Sequence, residues 1–287
     1  MPTAKHRKES PLPFILPSVL LLIIITIAPM AYSLGGSLLS WSIIHTERPL
    51  QLANNYGSIL LDPFFWSNTM AITAFYMVVV IVEFALGFFL AMVASRELRG
   101  MSVFKVSLIV PIFMMPVAAS LLWKYMFNPS IGILNWVLAL VGFAEQKWVS
   151  DPSTALTSIM MVDIWQWTPF MFMLLLAGVQ AVPRESTEAA MVDGASYLRI
   201  IRRIALPYMK PVMLVAVLIR AMDAFREFDK IKVLTDGGPG SVTSNLVFQA
   251  FLQAFRYFEM GYSMALSWIA ALIIIAMTMI LTRQLQK

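Results

Sequence analysis

Two groups of residues in this chain are of the types and spacing that do chemistry. The first is Glu188-Ala189-Ala190-Met191-Val192-Asp193-Gly194, followed after nine intervening residues by Ile204-Ala205-Leu206-Pro207. It lies in a polar, basic segment between two long apolar runs, so its chemistry is that of a water-facing surface to be gripped. Ala189 and Ala190 are strong helix formers of minimal bulk, which lets a partner approach closely. Asp193-Gly194 permits a sharp turn. The second group is Asp163, Gln166, Trp167 and Phe170, which share one helical face by i, i+3, i+4 and i+7 spacing. A carboxylate and an amide hydrogen-bond hydroxyls, and aromatic faces cover the apolar C–H side of a sugar ring. Ordinary packing is the plain alternative for the two aromatics.

Further charges fall inside apolar runs. Arg220 and Asp223 stand three apart on one helix and are spaced to pair; a pair that locks helix packing and a pair that touches substrate are both open readings. Glu83 has no partner in its own run and reads as a helix–helix contact. A charge at the centre of a membrane span costs about 2.5–3.5 kcal/mol on insertion scales, so each of these groups must face protein or water.

The elements that position these residues are membrane spans. Of 287 residues, 59% are hydrophobic and 13% charged, against about 25% charged in soluble domains. There is no cysteine, which excludes disulfides, thiolate metal sites and cysteine nucleophiles; the only histidines are His6 and His45. With no Cys, His or paired-carboxylate constellation, neither a catalytic nor a metal site is expected. The net charge of +5 is spread over loops and forms no patch for nucleic acid.

Six segments are long enough to cross a hydrocarbon layer of roughly 30 Å. They lie near Leu12–Leu34, Asn68–Ala94, Val103–Tyr125, Ala155–Gln180, Tyr208–Val233 and Tyr262–Leu281. The first follows Lys5, Arg7 and Lys8 and is longer than a signal-peptide core, so it reads as a retained anchor. Placing both termini in the cytosol puts most Lys and Arg inside, including Arg96, Arg99, Arg184, Arg199, Arg202, Arg203 and Arg283, as the positive-inside rule requires. Trp41, Trp66, Trp136 and Trp148 then fall near outer ends, as an aromatic belt predicts. Thr235–Gly240 reads as a turn and Asn245–Tyr257 as a short outer helix. Pro111 and Pro116 are expected to kink the third span.

The inner loop between Pro183 and Pro207 reads as two short helices. Ser186 or Thr187 caps the first, with Glu188 in its first turn, where a negative charge suits the helix dipole. The second is apolar at Leu198, Ile201, Ile204 and Ala205 and basic at Arg199, Arg202 and Arg203, and Pro207 ends it. An amphipathic helix lying on anionic headgroups is the alternative reading of this loop, and it accounts for the second helix but not for the acidic, small-residue first one.

The segment from Glu188 to Pro207 resembles the EAA loop of ATP-binding cassette (ABC) importer permeases at all seven specified positions. Phe127-Asn128-Pro129 with Gly132 and Asn135, the stretch Trp165–Phe170 and the stretch Leu234–Gly240 are similar to the carbohydrate branch of that family, and the resemblance covers roughly residues 12–283. It implies an all-α integral membrane protein with six transmembrane helices and the type I importer permease fold. A basic tail, 1–11, precedes one permease domain, 12–287, which contains the cytosolic coupling loop 182–207. It assigns Glu188, Ala189, Ala190 and Gly194 to coupling, and Ile204, Leu206 and Pro207 to the scaffold that fixes the loop to the fifth span. It makes Asp163, Gln166, Trp167 and Phe170, with Arg220, Asp223 and Ala224, candidates for the substrate pathway, although this chain is more charged there than maltose-type permeases. It implies three partners in a prokaryotic cytoplasmic membrane: a second homologous permease, an ATPase dimer and an extracytoplasmic solute-binding protein. ATP and Mg belong to the ATPase, because no Gly-x-x-x-x-Gly-Lys-Ser/Thr loop occurs in this chain. An ion-coupled secondary transporter is the alternative, thin without an internal repeat.

Overall fold

The computed structural model describes residues 12–44, 49–50, 54–96 and 99–285. The basic tail 1–11, His45, Arg48 and Lys287 lie outside them. Among the described residues the chain is helical, with two isolated bridge pairs, Leu39–Leu50 and Ser42–Glu259. This suits a lipid environment, where a spanning backbone must satisfy its own hydrogen bonds.

In chain order the helices are α1 (Leu12–Ser37), α2 (Asn54–Leu61), α3 (Phe65–Ala94), α4 (Met101–Phe113), α5 (Pro116–Met126), α6 (Ile133–Leu140) and α7 (Ala155–Gln180). There follow α8 (Arg184–Val192), α9 (Leu206–Phe225), α10 (Asp229–Leu234), α11 (Leu246–Phe255) and α12 (Met260–Leu285). Five helical stretches are long and apolar enough to cross a membrane, and the α4–α5 pair makes a sixth if it is one broken span.

That break is sharper than the kink expected from the sequence. α4 and α5 meet at 100°. Met114 and Met115 are extended, with ψ of 133° and 138°, because the ring of Pro116 disfavours helical geometry in the residue before it. At 1.5 Å per residue each half is roughly 20 Å or less, too short to span alone. The fifth span also differs from expectation: helix α9 stops at Phe225 and resumes as α10 after Arg226–Phe228.

The core lies where α3 and α9 pack on α7. Inside lipid, hydrophobicity gives helices no reason to associate, so close packing at small residues must do so. Gly87 supplies one such contact, since a Cβ there would sit 2.7 Å from the Met171 Cβ and 2.9 Å from the Phe172 nitrogen. Val79, Ile159, Val162, Phe172, Leu175 and Met209 fill the interface without solvent exposure. By contrast, α1 packs chiefly on α12, and its Ile24 and Ile25 are each 63% exposed. A helix apolar on all sides is expected in such a setting.

On the outer side the loops carry short helices. Asn245 caps α11 by accepting a hydrogen bond from the Phe248 amide, close to the outer helix expected at Asn245–Tyr257. The first and last outer loops are tied together by the Gly261 amide donating to the Trp41 carbonyl at 2.9 Å.

Candidate transport pathway and coupling loop

Five charged side chains meet in the core, four from helices α3, α7, α9 and α10 and the fifth, Glu227, from the link between α9 and α10. Arg220 on α9 donates through Nε to Glu83 Oε2 at 2.7 Å and through Nη2 to Glu83 Oε1 at 3.0 Å, so Glu83 on α3 is gripped at both oxygens. The same Nη2 donates to Asp163 Oδ2 on α7. Lys230 Nζ on α10 lies 3.0 Å from Asp163 Oδ1, within ion-pair reach although off hydrogen-bond geometry. Lys230 Nζ also donates to Glu227 Oε2 at 2.7 Å, and the Lys230 amide to Glu227 Oε1 at 2.9 Å. The order Glu83, Arg220, Asp163, Lys230, Glu227 thus alternates in sign across the bundle. All five are buried, Glu83 and Asp163 completely. Their alternation satisfies the demand that a charge removed from water be paired.

This arrangement corrects the expected Arg220–Asp223 pair. Arg220 faces inward to two other helices, whereas the Asp223 carboxylate is 38% exposed and accepts from Arg226 Nη2 at 2.9 Å. Residues three apart lie only about 60° apart around a helix, so spacing permits the pair. It does not form because Glu83 and Asp163 engage Arg220 while Arg226 engages Asp223. Two members of the cluster, Glu227 and Lys230, were not candidates from the sequence, because they fall at the outer end of the expected fifth span, Tyr208–Val233. The signal that marks them is their own i, i+3 spacing among Phe225, Phe228 and Ile231.

The remaining pathway candidates divide by exposure. Gln166 is buried, and its Nε2 donates at 2.8 Å to the carbonyl of Met114, the group freed where the third span breaks. One amide therefore holds the break against α7. Trp167 is half-buried with its ring 5.1 Å under the Arg220 guanidinium and in edge contact with Phe170, so that ring face is already occupied. Ala224 is buried against the core. Among Asp163, Gln166, Trp167, Phe170, Arg220, Asp223 and Ala224, only Trp167, Phe170 and Asp223 are reachable in this conformation. Arg226, the partner of Asp223, lines a cavity of about 580 Å³ between α11 and α12 that also contains Phe251, Phe255, Ser263 and Ser267.

On the opposite side α8 stands clear of the bundle with no buried residue. It starts at Arg184, three residues earlier than expected, with Pro183 preceding it and Glu185 as the acid of its first turn. Ser186 and Thr187 therefore lie inside the helix, where the Thr187 hydroxyl donates to the Arg184 carbonyl at 2.7 Å, and Glu188 belongs to the second turn. The stop is at Gly194, φ +75°. The Ala195 amide donates to the Ala190 carbonyl at 2.9 Å and the Gly194 amide to the Met191 carbonyl at 3.0 Å. These are the two bonds of a Schellman stop, which needs a left-handed residue at the glycine position. Glu188 and Ala189 are exposed and Ala190 half-buried, while Met191 and Val192 present 56% and 89% of their surface.

Pro207 does not end the second loop helix as expected. The chain runs from Tyr197–Ile200 through a π-helical turn, Ile201–Ala205, straight into α9. The Leu206 amide reaches back five residues to the Ile201 carbonyl, and this wider turn accommodates a proline whose missing N–H would interrupt an α-helical ladder. Ile204 and Leu206 are half-buried where loop joins span, and Pro207 is exposed.

A six-span helical bundle with a broken third span, a buried charge chain and one projecting inner helix is the membrane subunit of a type I ABC importer in its architecture. The chain superposes with TM-score 0.83 on a bacterial ABC transporter that imports the acidic polysaccharide alginate, at 17% identity over 96% of this chain and 94% of that one. Residues 83–286 match the family described as binding-protein-dependent transport system inner membrane component, and the chain belongs to that family. It is 36% identical, over 86% of its length and 82% of the relative's, to the trehalose/maltose transport system permease protein MalF of Thermococcus litoralis. It is also 34% identical, over 92% and 85%, to the trehalose transport system permease protein SugA of Mycobacterium tuberculosis. A third relative, at 31% over 93% and 85%, is the sulfoquinovosyl glycerol transport system permease protein SmoG of Agrobacterium fabrum. The chain is accordingly a multi-pass permease of the inner membrane.

Proposed function

We propose that this chain is one of two homologous permease subunits of an importer for a sugar, oligosaccharide, polyol or sugar-phosphate-like solute, driven by a separate ATPase dimer that holds ATP and Mg. An extracytoplasmic solute-binding protein delivers the solute from the outer side. The observation that carries this reading is α8: an exposed helix with small residues at Ala189 and Ala190 and bare apolar side chains at Met191 and Val192, stopped at Gly194. Exposed apolar groups on a water-facing helix mark a docking surface. The trehalose, maltose and sulfoquinovosyl glycerol permeases among its relatives support the carbohydrate class, and the alginate importer's structure with a pentasaccharide-bound periplasmic protein supports delivery by such a protein.

Closure of the ATPases pushes α8, and the half-buried Ile204 and Leu206 pass that displacement directly into α9, because helix runs unbroken from Tyr197 to Phe225. The solute meets Asp223 and Arg226 at the cavity beside Phe251 and Phe255, which combine charged hydrogen-bonding groups with aromatic faces. Asp163 and Arg220 hold the helices on either side of that path. No observation favours ion coupling, since Glu83 and Asp163 are each engaged by a cation.

The test is uptake of labelled trehalose, maltose and glycerol phosphate by vesicles carrying the whole transporter, with binding-protein-stimulated ATPase activity recorded in parallel. Glu188→Lys is expected to lower both at normal membrane abundance. Uptake that survives ATP depletion but collapses on addition of a proton uncoupler overturns the reading.

A further inference from the structure

Arg199, Arg202 and Arg203 line a cleft of about 530 Å³ on the inner face, together with Ser196 and Leu198. None of the three is ion-paired among the described residues. The buried cations Arg220 and Lys230, by contrast, are both held by carboxylates. Unpaired guanidiniums repel one another, so a fold that brings three to one cleft leaves them in need of an anion. The π-helical turn at Ile201–Ala205 begins between Arg199 and Arg202 and shifts the register of the side chains that follow it; such turns recur at functional sites.

The depth of the cleft says where the anion comes from. α9 enters the apolar part of its span just beyond Leu206, and Arg199–Arg203 precede it by three to seven residues, roughly 5–10 Å of helix. Headgroup layers are about 5–7 Å thick on each side of the hydrocarbon. Tyr197 and Leu198, 52% and 63% exposed, flank the cleft with apolar surface, and Lys210 is exposed one turn inside the span, placed to reach back to the interface.

We infer that Arg199, Arg202 and Arg203 form a binding site for the phosphate of an anionic phospholipid of the inner leaflet, next to the coupling helix. The planar forks of two arginines grip phosphate oxygens in pairs. The transport reading above is not required for this site, which depends only on membrane insertion and the local geometry.

The full-length chain, purified with the subunits that accompany it, is placed in nanodiscs of phosphatidylcholine alone or with phosphatidylglycerol. Retained lipid is then weighed by native mass spectrometry. Preference for phosphatidylglycerol is expected to fall about five-fold for each of Arg199→Gln, Arg202→Gln and Arg203→Gln, the effect of one basic residue at an anionic surface. Arg→Lys at the same positions is expected to keep more of the preference than Arg→Gln, retaining the charge without the paired fork, which separates charge from disturbed folding. Single variants are measured first, so a triple variant that fails to assemble leaves the test intact. Unchanged phosphatidylglycerol retention in the Gln variants overturns the proposal. Displacement of the lipid by millimolar inorganic phosphate overturns it in favour of a soluble phosphate site. Loss of co-purifying subunits with lipid retention intact overturns it in favour of protein docking.

Discussion

Removing Arg220 tests the buried charge chain most sharply. In Arg220→Met the long apolar side chain fills most of the vacated volume, so packing loss is small and the electrostatic effect dominates. Asp163 keeps Lys230 at 3.0 Å, but Glu83 loses the cation that grips both its oxygens, at 2.7 and 3.0 Å. Glu83 is completely buried, so the variant contains an uncompensated charge in the core, a change that costs about 3–5 kcal/mol. Glu83→Gln leaves Arg220 with Asp163 as its counterion and should cost less, about 1–3 kcal/mol for a lost charge-assisted bond. The double variant Arg220→Met/Glu83→Gln removes both ends together. It should recover at least 1 kcal/mol relative to Arg220→Met alone, since replacing both partners leaves no orphaned charge. SDS-titrated unfolding of the purified permease in mild detergent, followed by tryptophan fluorescence, measures all three. If the double variant is less stable than Arg220→Met by the full Glu83→Gln increment, the two side chains act independently and the account of the core fails.

Gly194→Val should lower binding-protein-stimulated ATPase activity and uptake together while membrane abundance stays near normal. A β-branched residue at φ +75° opposes the stop of α8 by about 1–2 kcal/mol, yet its Cβ meets nothing in the bundle; full transport by this variant refutes a coupling role for the turn. Gly87→Leu should reduce abundance severely, as a Cβ alone already falls 2.7 Å from Met171 Cβ, and immunoblotting of membranes checks it. Asn245→Ala should destabilise the outer side by about 1–2 kcal/mol, because one side chain both caps α11 and donates to the Glu227 carbonyl at 2.6 Å; hydrogen exchange should rise in α11 before any other segment. Gln166→Leu strands the Met114 carbonyl at the break and should loosen α4 and α5 relative to α7, visible as faster proteolysis at Met114–Pro116 with α7 unaffected.

Local order was legible in the residues wherever a single physical preference decided it. Twenty or so apolar residues in a row, bounded by charge, have one stable arrangement in a bilayer, so the first, second, fourth and sixth spans were placed within a few residues. Asp193-Gly194 after an alanine-rich turn permitted a sharp turn, and Asn245–Tyr257 read as a short outer helix. The EAA spacing identified the projecting loop without any contact being known. Pro207 misled because its usual effect assumes an α-helical ladder, and a π-turn removes that assumption. Ser186 and Thr187 misled because capping preference is weak beside Pro183, whose fixed φ starts α8 earlier.

Partners between helices were another matter. Nothing in the linear order says which side of α9 faces α3, so Arg220 was paired on paper with its neighbour Asp223 and in three dimensions with Glu83 and Asp163, more than fifty residues away. Glu227 and Lys230 looked like the outer end of a span until the interruption at Arg226–Phe228 turned α10 inward onto α5 and α7. Composition and spacing set what each helix is and which side of the membrane it ends on, because those depend on short-range preferences and on solvent. Which charges meet depends on the relative rotation of whole helices about their axes, and that is settled by packing at contacts such as Gly87 against Met171.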